Sequence, residues 1–274
     1  MIYIRPQYRQ QFEKERSVDD FFAIEGEISK QLHNRKTLKF ERGGKGFFIK
    51  CHAGIGWLEI IKNLTNLRLP VLGARTEWLA IQRVAELGVS TLTAVGYGVE
   101  GIDPARQRSF LITEDLGPNI SLEKLTKDWR SRPPDVQLKR TLIRKLADMA
   151  RRLHENGVNH RDFYICHFLL RLPDGVEALN PENLQVYLID LHRVQRRSVT
   201  PQRWIVKDIG GLFFSSMDIG LTNRDLLRFM KAYRGKPLRT TLERDRRFWR
   251  KVQNRALKLY RSHWNKEPGR QTTY

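Results

Sequence analysis

The stretch Asn159-His160-Arg161-Asp162-Phe163-Tyr164-Ile165-Cys166-His167-Phe168-Leu169-Leu170, followed later by Val186-Tyr187-Leu188-Ile189-Asp190, decides the fold. Just upstream, Leu138, Leu142, Leu146, Met149 and Leu153 recur at helical spacing over residues 136–156, and Gly157 supplies a C-cap. Phe168–Leu170 and Val186–Ile189 are short apolar runs joined by a polar stretch around residues 173–183, which reads as a hairpin. In an antiparallel pair the start of one strand lies beside the end of the other. Asp162 precedes the first strand and Asp190 ends the second, so two carboxylates are expected at one end of this hairpin.

Further out, Thr37–Phe40 and Phe47–Cys51 flank the turn Arg42-Gly43-Gly44-Lys45-Gly46 and predict a second hairpin. Helices are expected over residues 57–67, ended by Pro70, and over residues 75–87, closed by Gly88. Strand-like pieces follow at residues 92–97 and 109–113. Three prolines between residues 118 and 134 suggest a lobe boundary near Leu116–Pro118, and from Lys207 onward the chain reads as mostly helical. Strands first and helices later predict an α+β, bilobal protein, with a sheet-rich lobe at residues 1–116 and a helical lobe at residues 117–274.

The chemistry follows from that arrangement. Phosphoryl transfer uses one carboxylate to accept the proton of the attacking hydroxyl and another to hold Mg²⁺ against the nucleotide phosphates. It also uses a strand lysine that neutralises those phosphates and is held by a helix glutamate. Asp162 and Asp190 fill the first two roles, and Lys50 and Glu77 the others, in the chain order such a fold requires. His-Arg-Asp is too short to be decisive alone; its place between a capped helix and a hairpin ending in Asp gives it weight.

Composition bounds the rest. The 274 residues carry 50 Lys+Arg against 30 Asp+Glu, a net charge of +20, and residues 231–270 alone hold fourteen basic and three acidic residues. Such a field attracts polyanions, whether nucleic acid, anionic lipid or an acidic protein. Cys51 and Cys166 have no paired spacing, which argues against a disulfide framework or a zinc cluster. The N-terminus lacks an apolar leader and no run is long enough to span a bilayer, so a cytoplasmic location with peripheral attachment is expected.

With these residues in view, the chain resembles the heptose(I) kinase family of lipopolysaccharide inner-core biosynthesis, a branch of the protein-kinase-like fold. The resemblance is carried by residues 69–74 with Glu77-Trp78, by Ile112-Thr113-Glu114-Asp115-Leu116, and most specifically by residues 159–170 and Ile189-Asp190-Leu191-His192-Arg193. Lys207-Asp208-Ile209-Gly210-Gly211-Leu212, Phe214-Ser215-Ser216-Met217 and Gly220-Leu221-Thr222 extend it. It implies transfer of the γ-phosphoryl group of ATP to a hydroxyl of the first core heptose. It implies Asp162 as base, flanked by His160 and Arg161 in the catalytic segment, Lys50 as phosphate lysine with Glu77 as its partner, and Asp190 as the Mg²⁺ ligand. Glu114 and Leu116 would belong to the hinge that meets the adenine. Asp208 would either brace the catalytic loop or serve as a helix N-cap. The implied partners are the lipopolysaccharide core substrate and the anionic inner-membrane surface, with an acidic protein such as acyl carrier protein as a further fit to the basic field; no specific nucleic acid is expected.

Three departures from the protein-kinase pattern stand out. His167 occupies the position of a second metal-binding residue, where imidazole suits hard Mg²⁺ less well than an amide oxygen. Leu191-His192 replaces Phe-Gly after Asp190, so activation-loop control is not expected. Gly43-Gly44-Lys45-Gly46 reads as a hairpin turn, because the phosphate loop falls one hairpin earlier, near residues 32–36, where Arg35 and Lys36 supply charge in place of glycine. His52, His154, His192 and His263 share no ligand spacing and read as surface residues or residues one layer out from the site. The helix at 57–67, with Trp57 near its start, either touches lipid or packs on the first lobe. The competing functions are a kinase of another hydroxyl, a nucleic-acid-binding protein and an inactive kinase scaffold. The basic tail has no base-reading motif, and intact Lys50, Asp162 and Asp190 argue against the scaffold.

Overall fold

The computed structural model describes residues 1–32, 34–54, 56–58, 65 and 73–265. The chain forms two compact units, the first from residues 1–85, 91–117 and 190–193, the second from residues 86–90, 118–189 and 194–274. The division is not contiguous: the short segment carrying Asp190 belongs with the first unit.

The first unit contains β1 (Ile2–Ile4), α1 (Val18–Phe22), β2 (Glu27–Leu32), β3 (Arg35–Arg42), β4 (Lys45–His52), α2 (Ala74–Glu86), β5 (Ala94–Glu100) and β6 (Arg108–Glu114). Its six strands form one antiparallel sheet in the order β1-β5-β6-β4-β3-β2. Period-two alternation assigns the faces of β4. Phe47, Ile49 and Cys51 are buried in a core with Phe12, Phe21, Phe40 and Phe110, while Phe48 and Lys50 point the other way. The Phe21 and Phe110 rings stack with centroids 4.0 Å apart. Gly43 and Gly44 have φ of 58° and 71° between the paired residues Arg42 and Lys45, the two-residue turn that matches strand twist and needs positive φ at both positions. These glycines make a turn, as their spacing predicts. The expected helix at 57–67 and the Leu69–Gly73 part of the motif lie almost wholly outside the described residues.

The second unit contains β7 (Asn119–Ser121), α3 (Leu122–Thr126), α4 (Val136–Glu155), β8 (Val158–Asn159), β9 (Phe168–Arg171), β10 (Val186–Leu188), β11 (Gln195–Arg196), α5 (Gln202–Ser215), α6 (Asn223–Arg234), α7 (Leu238–Arg244) and α8 (Arg246–Trp264). The architecture is α+β, in the protein-kinase-like class. Asp135 caps α4, accepting from the Gln137 and Leu138 N–H groups at 2.8 Å. The expected β9–β10 hairpin is present, with Phe168 opposite Leu188, and β7 adds a third strand beside β9. Gly157 follows α4 at φ 76°; a Cβ there would overlap the carbonyl oxygen of Arg197, so only glycine lets β11 close on β8. α4 packs on α6, and α5 on α8. α5 begins at Gln202, five residues before Lys207, where the sequence placed the onset of helix.

Candidate active site

In the first unit, β4 places Lys50 on the face away from the aromatic core, and α2 presents Glu77 from its first turn. Lys50 Nζ lies 2.6 Å from Glu77 Oε1, with Glu77 only 3% exposed. Burial pushes the Lys50 ammonium down, but the Glu77 carboxylate and the nearby charge of Asp190 outweigh it and hold the group above the usual lysine range. Lys50 is therefore a fixed cation. Asp190 sits at φ 62°, in the left-handed region that non-glycine residues rarely adopt, and His192 Nδ1 is 2.5 Å from its Oδ1.

Arg35 and Lys36 open β3, Arg35 opposite His52 and Lys36 opposite Cys51. His52 is buried in the sheet. Burial, then the charges of Arg35, Lys50 and His192, push its imidazole down to about 3, so it stays neutral beside Lys50. Burial also pushes the Cys51 thiol up to about 11, which makes it unreactive. Glu114 ends β6, and its carboxylate accepts the Tyr8 hydroxyl at 2.7 Å. Burial, reinforced by that hydrogen bond, pushes the Tyr8 hydroxyl up to about 12. The amides of Glu114 and Asp115 are spent on Thr93 and Gly46 carbonyls, so the Glu114 main-chain oxygen is what remains for a base. Leu116 lies two residues on, partly exposed.

In the second unit, the His160-Arg161-Asp162 segment is fastened from below by Asp208. One Asp208 carboxylate oxygen accepts the His160 N–H at 2.6 Å, the other the Arg161 N–H at 2.8 Å, and His154 Nε2 lies 3.4 Å away. Asp208 is in the middle of α5, not at its start, which removes the N-cap reading and leaves the brace. Arg161 has φ 77°, a strained value that the Asp208 bond helps hold. His160 Nε2 donates to the Ile189 carbonyl at 3.0 Å, and His167 Nδ1 donates to the Asp162 carbonyl at 2.6 Å. His167 thus ties the loop back on itself. His154 is buried, its Nδ1 3.0 Å from the Tyr233 hydroxyl, and is not the surface residue that spacing allowed.

Against this geometry, residues 19–233 match the model of the "Lipopolysaccharide kinase (Kdo/WaaP) family". The chain belongs to this family. It is 50% identical over 238 residues to the lipopolysaccharide core heptose(I) kinase WaaP of Pseudomonas aeruginosa PAO1, covering 87% of this chain and 88% of that protein. With the enzyme of the same name from Escherichia coli K12 it shares 52% identity over 220 residues, 80% of this chain and 82% of that one. A solved structure described as WaaP in complex with acyl carrier protein superposes with a TM-score of 0.80 at 40% identity, covering 95% of this chain and 99% of that chain.

Among the residues expected from sequence, Lys50, Glu77, Asp190, Glu114, Leu116, Arg35 and Lys36 share the first unit, and His160, Arg161, Asp162 and His167 the second. Among the described residues no group of three His, Cys, Asp or Glu side chains is disposed as a metal cage. Mg²⁺ takes one or two carboxylates plus phosphates and waters, and the Asp190 carboxylate has the oxygen chemistry such a site uses. His167, a nitrogen ligand whose Nδ1–H is given to the loop carbonyl, fits it poorly. Sequence reasoning missed the Tyr8–Glu114 bond and the support of Asp208 by His154 and Tyr233. The available signal was an acid inside the apolar face of a helix, between Trp204 and Leu212.

Two outcomes follow. His52 is held neutral when folded but titrates near 6.5 when unfolded, so its depressed folded value removes stability as pH falls below about 6.5. Urea unfolding at pH 7 and pH 5 should show the chain losing about 2 kcal/mol more than His52→Gln over that interval; equal losses would mean that His52 charges in place. Asp208→Ala leaves the buried His160 N–H and the half-buried Arg161 N–H without an acceptor and should cost about 3 kcal/mol in the same assay, and a loss below about 1 kcal/mol would remove the brace.

Proposed function

We propose that this chain is an ATP-dependent lipopolysaccharide core heptose(I) kinase in which Asp162 is the catalytic base, Lys50 neutralises the nucleotide phosphates and Asp190 is the Mg²⁺ ligand. The Lys50–Glu77 ion pair carries the reading. A half-buried lysine, held charged at 2.6 Å by a buried helix carboxylate on the sheet face away from the aromatic core, is the group that phosphate binding requires there. Family membership supplies the reaction class.

In the reaction, the acceptor hydroxyl oxygen forms a bond to the γ-phosphorus of ATP as the bond to ADP breaks, and the hydroxyl proton passes to Asp162. Asp208, through His160 and Arg161, fixes the backbone that presents Asp162. Lys50 offsets charge on the phosphates, with Arg35 and Lys36 adding positive potential from the start of β3. The Glu114 carbonyl and the Leu116 amide are the main-chain groups offered to the adenine. Mg²⁺ held by Asp190 would neutralise charge on the transferring phosphoryl oxygens.

The setting is the cytoplasmic face of the inner membrane, with the chain attached peripherally. No helix among the described residues is long and apolar enough to cross a membrane, and the charge of +20 favours an anionic surface. Acyl carrier protein is a second partner. The solved relative was described with that protein bound. The second unit here carries an open basic groove lined by Arg140, Arg144, Arg224, Lys231 and Lys236. It also has an apolar cavity of about 100 Å³ lined by Leu142, Leu146, Ile209, Phe213, Met230 and Val252.

Incubation with Mg-ATP and dephosphorylated core lipopolysaccharide should add one phosphate to the first heptose, read by mass. Asp162→Ala should lower kcat about 10²- to 10⁴-fold. ADP release no faster than the blank from the unaltered chain would overturn the reading, and near-normal turnover in the variant would remove Asp162 from its role. Acyl carrier protein should raise the Tm of the purified chain; no shift would exclude it as a partner.

A further inference from the structure

The last helix of the second unit, α8, turns a row of cations outward. Its nineteen residues hold seven Lys or Arg and no Asp or Glu. Its buried residues are Phe248, Trp249, Val252, Ala256 and Tyr260, and Ala256 and Tyr260 join Phe213 of α5 in an apolar cluster. At about 100° per residue, Arg247, Arg250, Lys251, Asn254 and Lys258 fall in one band on the opposite side of the helix. All five are exposed. The row from Arg247 to Lys258 runs for about 16 Å along the axis. Trp264 ends the helix at 51% exposure, its ring against that of His263 at 4.6 Å.

Other helices of the same unit neutralise their exposed cations. On α4, Arg151 pairs with Asp148 and Glu155, and Arg152 with Asp148; on α7, Arg239 pairs with Glu243. Arg247, Arg250, Lys251 and Lys258 have no hydrogen-bond or ion-pair partner among the described residues. They also repel one another. Arg247 is one turn from both Arg250 and Lys251, and like charges at that spacing weaken a helix. Arg246 and Arg247 stand in the first turn, where the helix dipole is already positive. A face kept only for solubility would carry both signs. This one destabilises the isolated helix, and an anionic surface laid along it would turn repulsion into attraction.

We propose that the outward face of α8, formed by Arg247, Arg250, Lys251 and Lys258 with Trp264 at its end, is the surface on which the chain rests against an anionic bilayer. This rests on the peripheral setting given above and deepens it by naming the face. A protein interface is built around an apolar centre, and every residue of the row is polar. Single-stranded nucleic acid takes aromatic platforms between the cations, and the row has none. A fluid sheet of phosphate headgroups needs no matching shape. Each Lys or Arg near it contributes about fivefold to binding, and indole side chains such as Trp264 favour the headgroup layer. The apolar side of α8 is already packed on the protein, so the helix lies on the headgroups without inserting, and salt screens the attraction.

The test is co-sedimentation of the full chain with vesicles of phosphatidylethanolamine containing about one-third phosphatidylglycerol, and with neutral phosphatidylcholine vesicles. A row variant carries Arg247→Gln, Arg250→Gln, Lys251→Gln and Lys258→Gln together. A control variant removes four exposed cations of the first unit, through Arg9→Gln, Lys14→Gln, Arg16→Gln and Lys30→Gln. Gln keeps the helix propensity, so the melting curves should coincide. The row variant should bind the anionic vesicles about 10²- to 10³-fold more weakly than the parent at about 0.1 M salt, and the control variant within about fivefold of it. None should bind the neutral vesicles. Equal losses in the two variants would reduce the effect to net charge and overturn the face, as would a row variant that binds like the parent. A row variant that keeps the vesicles but loses acyl carrier protein or duplex DNA would reassign the face to a macromolecule and overturn the bilayer. Trp264→Ala binding as tightly as the parent would remove Trp264 from the face. A parent that binds no vesicle would overturn the face and the peripheral setting together. The kinase reading fails separately: row-dependent vesicle binding without phosphate transfer from Mg-ATP would leave the face standing and sink the activity.

Discussion

The buried carboxylate of Asp208 holds the His160-Arg161-Asp162 segment in its shape. An uncompensated carboxylate inside a helical unit would be costly, and here its two oxygens are spent on the His160 and Arg161 N–H groups, with His154 behind them. Those bonds are charge-assisted, and they stabilise a backbone that would otherwise relax, since Arg161 sits at φ 77°. His154 is itself tied to Tyr233 on α6, whose buried hydroxyl is pushed up in pKa and stays protonated. A chain of polar contacts therefore runs from α6 through α4 to α5 and ends at the segment bearing Asp162. Trp204, one turn before Asp208, extends the same helix stripe to the four cations on its ring, so a single helix organises both the Asp162 segment and those cations.

The first unit solves a different electrostatic problem. Lys50 must stay charged on a mostly buried strand, and Glu77 and Asp190 supply the opposing charge that burial alone would deny it. His52, two residues along the same strand, is forced neutral by the same surroundings and so adds no competing charge. The aromatic core on the opposite face of β4 fixes which side chains turn which way: slipping the register by one residue would exchange Lys50 for an apolar neighbour. The placement of Lys50 is thus a consequence of where Phe47, Ile49 and Cys51 find their packing partners.

Local regularities were legible in the sequence. Alternation in β3 and β4 with Gly43-Gly44 set the hairpin; the leucine stripe with Gly157 set α4; and the two apolar runs after Asp162 set β9 and β10. β1 and α1, three and five residues long, are too short for a period to register, and β1 owes its place to pairing with β5 about ninety residues away. Asp208 was ambiguous for the same reason: an acid in Lys207-Asp208-Ile209 is compatible with a cap or a brace, and only its position inside α5 and its long-range partners separate the two.

By itself, then, the sequence determined the order Lys50, Glu77, His160-Arg161-Asp162, Asp190, the α+β class and the family, because these depend on residue type, spacing and periods carried along the chain. The tertiary structure alone decided that Asp208 braces the loop, that Tyr8 occupies the Glu114 carboxylate, that His52 and His154 are buried, that the Asp190 segment groups with the sheet unit, and that four cations meet on Trp204. Each of these joins residues distant in sequence, or turns on burial and a helix-face orientation that no local pattern records.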